Sequence, residues 1–280
     1  MAEFHSGRNP ETNGIPQWRK VMANIKVSII NESTVLTDQQ VNAAVPAFQT
    51  QVSQDFANAW GINADLTFVG GGQQPDANSW WLVILDNSDQ AGALGYHDYT
   101  PAGLPIGKAF AATDLQFGLK WQITATHELL EMLADPDINL AALAPDLNQA
   151  HPLRLYAREV CDACEADQFG YDINGTPVTD FVYPAWFESF RAPNSTQFDQ
   201  ANKIKKPFQL LKGGYIGILR LTGGEGWTQI TAEAEPQTYQ MRARVGSRRE
   251  RRRTPRELWL KSKDFSEVQK SRKAYKHTTA

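Results

Sequence analysis

The residues with the clearest capacity for chemistry lie close together in one predicted helix, at His127, Glu128 and Glu131. Because an α-helix turns by about 100° per residue, His127 and Glu131 share one face, and Asp135 extends that line by another turn. An imidazole and a carboxylate spaced in this way can hold a divalent cation, most readily zinc. Zinc lowers the pKa of a bound water to about 7, and Glu128 could act as general base toward that water. The pattern predicts a metal-dependent hydrolase of peptide or amide bonds.

The helix that carries these residues is predicted to run from Trp121 to Pro136, because proline disfavours a helical conformation at the residue before it. Apolar residues occupy much of the remaining helix surface, so we expect at least one carboxylate to be buried and to need a partner. These apolar residues are Ile123, Leu129, Leu130, Met132 and Leu133. The alternative is a chance pattern, since Glu is a good helix former and a lone His on an apolar face is often a core residue.

The letters HELLE, residues 127–131, resemble the HExxH helix of the zincin metallopeptidases, with Glu131 in place of the second histidine. The predicted order of a strand, a long helix, further strands and an edge strand also resembles the N-terminal half of a zincin. The resemblance covers residues 24–190 and implies an α+β (mixed α/β) fold, with an active-site helix packed on a twisted mixed sheet. A ligand set rich in oxygen also admits calcium, magnesium or manganese.

A closer resemblance is to bacterial zincin-like proteins in which an HE..E...DP helix is followed by an E..D.C segment. Here that second segment contains Glu159, Asp162 and Cys164. Some zincins take a third metal ligand after the helix, and by analogy the candidates are Asp135, Asp137, Glu159 and Asp162. Glu159 and Asp135 are preferred, because Asp137 lies beyond a proline.

His97 is a candidate for substrate binding. It lies in the segment GYHDYTPAG, predicted as a loop ahead of a short edge strand at 108–111. In zincins the edge strand binds an extended substrate as an added strand, and a nearby histidine could polarise the scissile carbonyl. The alternative is a loop histidine in solvent.

The two cysteines of the chain, Cys161 and Cys164, form the motif CDAC. The motif lacks the second cysteine pair of a four-cysteine zinc site and the βαβ setting of a thioredoxin-like redox site. We therefore favour core packing or an incidental disulfide over redox catalysis. Two cysteines also exclude a disulfide-rich secreted scaffold.

The elements that must position the helix are predicted from periodicity and capping residues. Alternating and β-branched residues predict strands over 24–30, 64–70 and 79–87. A helix is predicted between the first two strands, from Asp38 to Trp60, with Pro46 as a kink or an alternative start. A β-hairpin is predicted over 208–221, around a Lys-Gly-Gly turn, within a C-terminal half otherwise rich in loops.

Charge divides the chain into an acidic body and a basic end. The chain of 280 residues has 28 Lys and Arg against 31 Asp and Glu, a net charge of −3. Residues 241–280 hold 14 basic and 4 acidic residues, a net of +10, so the rest carries −13. Such a segment can bind nucleic acid, an anionic membrane or an acidic protein surface.

We predict a flexible N-terminal arm at 1–23, a zincin-like metal-binding domain at 24–240 and a flexible basic tail at 241–280. The longest apolar run, WWLVIL, is far shorter than the about 20 residues that span a bilayer. Without a signal-peptide pattern, the default location is the cytoplasm, with export by another route as the alternative. The alternative function is a non-catalytic structural or assembly protein that contacts an anionic partner through the tail.

Overall fold

The computed structural model describes residues 25–88, 94–100, 102–145, 153–221, 226–233 and 238–240. The predicted N-terminal arm and basic tail lie outside these residues. Helices and both parallel and antiparallel strands are present, which confirms the predicted α+β fold. In the described part of the chain, no helix is long and apolar enough to cross a membrane.

The first half of the chain forms a five-stranded mixed sheet with the order β2-β1-β3-β5-β4. All neighbouring strands are parallel except β4, which pairs antiparallel with β5 and forms one edge. The central strands carry apolar residues that are buried, as is usual for parallel strands inside a protein. The strands are β1 (Ile25–Asn31), β2 (Ala64–Val69), β3 (Trp80–Leu85), β4 (Gly95–Tyr99) and β5 (Pro105–Phe110).

The long helix between β1 and β2 follows its predicted bounds. Thr37 caps it: its hydroxyl accepts the Gln40 N–H at 3.2 Å, and the Gln40 side chain accepts the Thr37 N–H at 2.8 Å. The helix comprises α1 (Asp38–Thr50), a π-helical segment (Gln51–Phe56) and α2 (Ala57–Trp60). Pro46 lies inside α1, so the helix starts at its cap and not at the proline.

Two further helices follow β5. The short α3 (Ala111–Gln116) was not predicted, because the segment was interpreted as a loop and edge strand. The longer α4 (Trp121–Ala134) is the helix predicted to carry the metal ligands. Every residue of α4 except Gln122 is buried, so its carboxylates are indeed inside the protein. The helix packs on β3, β4 and β5.

The second half contains an antiparallel sheet with the order β12-β11-β10-β7-β6. Its strands are β6 (Ala141–Pro145), β7 (Leu153–Ala157), β10 (Tyr215–Arg220), β11 (Trp227–Thr231) and β12 (Thr238–Gln240). A two-stranded hairpin, β8 (Tyr171–Ile173) and β9 (Thr176–Val178), turns at Asn174-Gly175, where both residues have positive φ. One cluster of buried apolar residues includes members of both large sheets, so they share a core.

The hairpin predicted over 208–221 was placed wrongly. Its second arm is β10, but β10 pairs with β11 and β7, and residues 208–211 form no strand. Phe208 instead packs its ring against Tyr156 and Trp186, with centroids 4.2 and 5.2 Å apart. These ring contacts of Phe208 take the place of the strand pairing that was predicted for residues 208–211.

Candidate metal centre

Helix α4 presents three of the predicted residues to one interior space. His127, Glu128 and Glu131 are 8%, 5% and 1% exposed. The helical spacing places His127 and Glu131 one turn apart, and the His127 Nε2 lies 3.3 Å from the Glu131 Oε1. The remainder of the centre comes from the strand β4 and from the loop after β7.

The first group of possible ligands comprises His127, Glu131 and Asp162, whose donor atoms all lie within 4.8 Å of one another. The His127 Nε2 is 3.3 Å from both the Glu131 Oε1 and the Asp162 Oδ1. Zinc holds four ligands tetrahedrally at about 2.0–2.2 Å, which sets neighbouring donor atoms about 3.3–3.6 Å apart. The two separations from the His127 Nε2 lie within this range.

Asp162 lies next to the helix because residues that precede β10 hold its loop in place. It begins a single 3₁₀ turn, Asp162–Cys164, whose Ala163 carbonyl accepts the Leu211 N–H at 2.9 Å. A Cβ on Gly214 would lie 2.4 Å from that same carbonyl oxygen, so only glycine allows this approach. In front, the Cys161 N–H donates to the Glu131 Oε1 at 3.2 Å. The turn is thus fixed between β10 and α4.

The second group comprises His97, Glu128 and Glu131. The His97 Nδ1 lies 3.5 Å from the Glu128 Oε2 and 3.8 Å from the Glu131 Oε2. On the other side of the ring, the His97 Nε2 lies 3.9 Å from the Glu159 Oε2. The imidazole therefore lies between the helix carboxylates and Glu159.

His97 was predicted in a loop, and that prediction was wrong. The residue lies in the middle of β4, opposite Gly107 of β5, and is only 1% exposed. Close packing of α4 on this edge explains the burial: a Cβ on Gly95 would lie 2.7 Å from the Glu128 Oε1. The alternation in Gly-Tyr-His-Asp-Tyr was the sequence signal for a strand, and the following Thr-Pro-Ala-Gly obscured it.

Buried charge perturbs the titration of the first group. Burial raises the pKa of Glu131, and the negative charge of Asp162 raises it further, so that it lies well above the usual value. Burial alone would lower the pKa of His127, but the charges of Glu131 and Glu128 and a hydrogen bond with Asp162 outweigh it and raise the pKa. Without a cation, this group therefore retains protons that a metal ion would displace.

The structure gives the two preferred third-ligand candidates, Asp135 and Glu159, different positions. The Asp135 carboxylate follows the last turn of α4 and accepts the N–H groups of Asn139 and Leu140, each at 3.0 Å. It belongs to neither ligand group, and its contacts stabilise the turn after the helix. Glu159 approaches His97 and also belongs to neither group. Asp137 accepts a hydrogen bond from the Tyr99 hydroxyl, outside both groups.

Both cysteines are free thiols buried in the core. Burial, followed by the charges of Glu131 and Asp162, raises the pKa of Cys161, and burial with the charge of Asp180 raises that of Cys164. Protonated thiols are poor nucleophiles and poor metal ligands. The contribution of this motif to the centre therefore comes from the Asp162 carboxylate and the Cys161 backbone N–H, and not from the thiols.

We compared the chain with known sequence families, with characterised proteins and with solved structures, and none of the three comparisons gave a match.

Proposed function

We propose that the protein is a metal-dependent hydrolase of peptide or amide bonds, with zinc held by His127, Glu131 and Asp162. The observation that carries this proposal is the pair of 3.3 Å separations from the His127 Nε2 to two carboxylate oxygens, which fit a tetrahedral site. Three protein ligands leave a fourth position for water, as in catalytic zinc sites. The resemblance of the helix to that of the zincins agrees with this proposal.

When bound, zinc would polarise a substrate carbonyl and lower the pKa of a coordinated water to about 7. Glu128 follows His127 directly, and its carboxylate lies beside the ligand group and is 5% exposed. It is therefore the residue to accept the proton from the water and to return it to the leaving amine. Such a positioned general base contributes about 10²- to 10⁴-fold in rate.

The position of β4 favours an extended substrate. This strand is the edge of the described sheet, and it carries His97 beside Glu128. A peptide that adds to a strand edge is held by its main-chain hydrogen bonds, which leave its side chains to select the sequence. We therefore propose a peptide or protein substrate.

The proposal is tested with the full chain, freed of metal by a chelator and reloaded with zinc. Metal content and hydrolysis of a mixed peptide library are measured for the wild type, His127→Ala and Glu128→Gln. The proposal requires bound zinc and peptide hydrolysis in the wild type, loss of both in His127→Ala, and loss of hydrolysis with zinc still bound by His127, Glu131 and Asp162 in Glu128→Gln. A wild type that binds no metal would contradict it.

Asp114→Asn is the matched control for these variants. Asp114 is also a fully buried carboxylate that contacts α4, through a 3.0 Å hydrogen bond from the Thr124 hydroxyl, but it belongs to neither ligand group. The amide can still accept that hydrogen bond. Metal content and activity should remain at wild-type level, which separates loss of a ligand from loss of a buried charge.

A second candidate function rests on the net charge of +10 over residues 241–280. It is a non-catalytic binding or assembly role, in which this segment contacts an anionic partner. Removal of residues 242–280 tests it against DNA, anionic vesicles and an acidic protein in separate assays. Association that is sensitive to salt and disappears with the segment supports the role, and unchanged association contradicts it.

A further inference from the structure

Glu131 contributes one oxygen to each of the two ligand groups. Its Oε1 lies 3.3 Å from the His127 Nε2, and its Oε2 lies 3.8 Å from the His97 Nδ1. The two groups therefore share a carboxylate without sharing a donor atom. In two-metal sites the ions lie about 3.5–4 Å apart, a separation that one bridging carboxylate can span.

His97 is the independent indication that the second group binds a ligand. The residue is only 1% exposed, and neither of its buried ring nitrogens has a hydrogen-bond partner among the described residues. The Glu128 Oε2 is also buried without such a partner. Buried polar atoms without partners are rare in native proteins and indicate an ion or another ligand.

The surroundings of His97 match those of a metal-bound histidine. Its Nδ1 faces Glu128 and Glu131, whereas its Nε2 faces the Glu159 carboxylate at 3.9 Å. A ligating histidine usually donates its other ring N–H to a carboxylate, which fixes the tautomer and the ring orientation. Glu159 is the carboxylate on that side of the ring, so with a small approach it would accept a hydrogen bond from the Nε2–H and orient the imidazole without binding the ion itself.

The charge of the cluster agrees with two cations. Glu128, Glu131, Glu159 and Asp162 are each at least nine-tenths buried, and when ionised they carry four negative charges. One divalent cation would neutralise half of this charge, and two would neutralise all of it. Because uncompensated buried charge is costly, the second cation would stabilise the ionised cluster.

The geometry points to a second divalent cation held by the His97 Nδ1, the Glu128 Oε2 and the Glu131 Oε2, bridged through Glu131 to the first. This inference rests on the proposed function, because Glu131 is a ligand in both positions. It also has a consequence for Glu128. A cation on the Oε2 would lower the basicity of this carboxylate, so filling the second position should slow hydrolysis if Glu128 is the general base.

The experiment counts metal ions per chain. Metal-free full-length protein is titrated with Mn²⁺, with bound metal measured by mass spectrometry and calorimetry, for the wild type, His97→Gln, His127→Ala and the control Asp114→Asn. Circular dichroism of each variant verifies folding. Electron paramagnetic resonance of the loaded wild type shows whether bound ions are magnetically coupled, as a carboxylate bridge requires.

Two coupled ions in the wild type and Asp114→Asn, with one ion in His97→Gln, would support the second position. A single ion that is lost in His127→Ala and retained in His97→Gln would overturn the second position and leave the proposed hydrolase intact. A single ion lost in both variants would also overturn it, because the two groups would then form one site. No bound Mn²⁺ in the wild type would overturn the second position, and no bound metal in the zinc reloading experiment as well would refute the hydrolase.

Discussion

Among the described residues, two groups of neighbouring buried carboxylates can be compared, and their partners differ. In the candidate metal centre, Glu128, Glu131, Glu159 and Asp162 face two imidazoles, and the Glu131 Oε1 accepts one backbone N–H. In the other group, Asp180 and Asp199 together accept four backbone N–H groups. Burial of a carboxylate therefore does not by itself identify a metal site. The groups that face the carboxylate distinguish a candidate metal site from a structural pair.

The Asp180 and Asp199 pair is organised by the backbone. The Asp180 Oδ1 accepts the N–H groups of Phe181 and Ala201 at 2.8 and 2.9 Å. The Asp199 carboxylate accepts those of Lys203 and Ile204 at 2.8 and 2.9 Å. These bonds fix the loop beside the core residue Phe181, so the pair has a structural role.

Protonation distinguishes the two groups further. Burial, and then the neighbouring Asp199, raise the pKa of Asp180 to about 8, which leaves one proton on the pair at neutral pH. A shared proton lets two close carboxyl groups remain buried without a cation. The candidate metal centre has four carboxylates, and in our proposal cations fulfil this role there.

The largest expected effect comes from amide substitution of one acid in each group. Glu131→Gln should weaken metal binding by more than about 100-fold, because it removes the shared ligand, a change more severe than loss of an outer-shell partner. Asp180→Asn should leave the metal affinity unchanged. Isothermal titration calorimetry with Zn²⁺ measures the affinity of each variant. An equal loss of affinity in the two variants would contradict the assignment of the ion to the Glu131 group alone.

The next effect is the pH dependence of metal binding. The raised pKa values of Glu131 and His127 mean that a metal ion must displace protons, so affinity should increase with pH, by up to about tenfold per unit for each proton released. The measurement is Zn²⁺ affinity from pH 5.5 to 7.5 in buffers that do not bind metal. An affinity independent of pH would indicate that other groups hold the ion.

The stability of the metal-free chain should decrease with pH, whereas its metal affinity increases. The raised pKa values give stability that is fully present below the unfolded values of 4.5 for Glu131 and 6.5 for His127. It is lost as pH rises through the folded values. The melting temperature of the metal-free chain should therefore decrease as pH rises above about 5. Added zinc should oppose that decrease. A melting temperature that rises with pH in the presence of chelator would contradict this assignment.

Asp180→Asn should produce a smaller effect, confined to stability. In the wild type, stability from this group is present below pH 3.8 and lost as pH rises through about 8. An amide can still donate to Asp199 but does not titrate, so at pH 9 the variant should be more stable than the wild type by about 1–3 kcal/mol. Urea unfolding at pH 5 and pH 9 gives the comparison, with Asp114→Asn as the control. An unchanged pH dependence would exclude Asp180 as the titrating group.

The smallest expected effect is that of Asp135→Asn. An amide oxygen can still accept the N–H groups of Asn139 and Leu140, but without the charge these bonds weaken, for a loss of about 1 kcal/mol. Zinc affinity should not change, because Asp135 belongs to neither ligand group. A large fall in zinc affinity would contradict this and indicate that Asp135 is a ligand.

Much of the first sheet and its helices could be predicted from local pattern. The alternation in β1, the Thr37 cap of α1 and the apolar periodicity of α4 are all local properties, and the structure has these elements close to their predicted bounds. Strand β4 was missed because it is only five residues long and the turn residues that follow it obscured its pattern. The Asn174-Gly175 turn was a readable hairpin signal that the prediction did not use.

The sequence by itself determined the helical line of His127, Glu128 and Glu131, because residues one turn apart share a face whatever surrounds the helix. Only the tertiary structure decided which residues join them. Asp162 is brought in by the turn packed against Gly214, and His97 by the pairing of β4 with β5. The contact of Gly214 with Ala163 and the hydrogen bond from Cys161 to Glu131 join residues 30 or more positions apart along the chain. Local periodicity carries no information about such pairings, since they depend on how separate elements bury their apolar faces together.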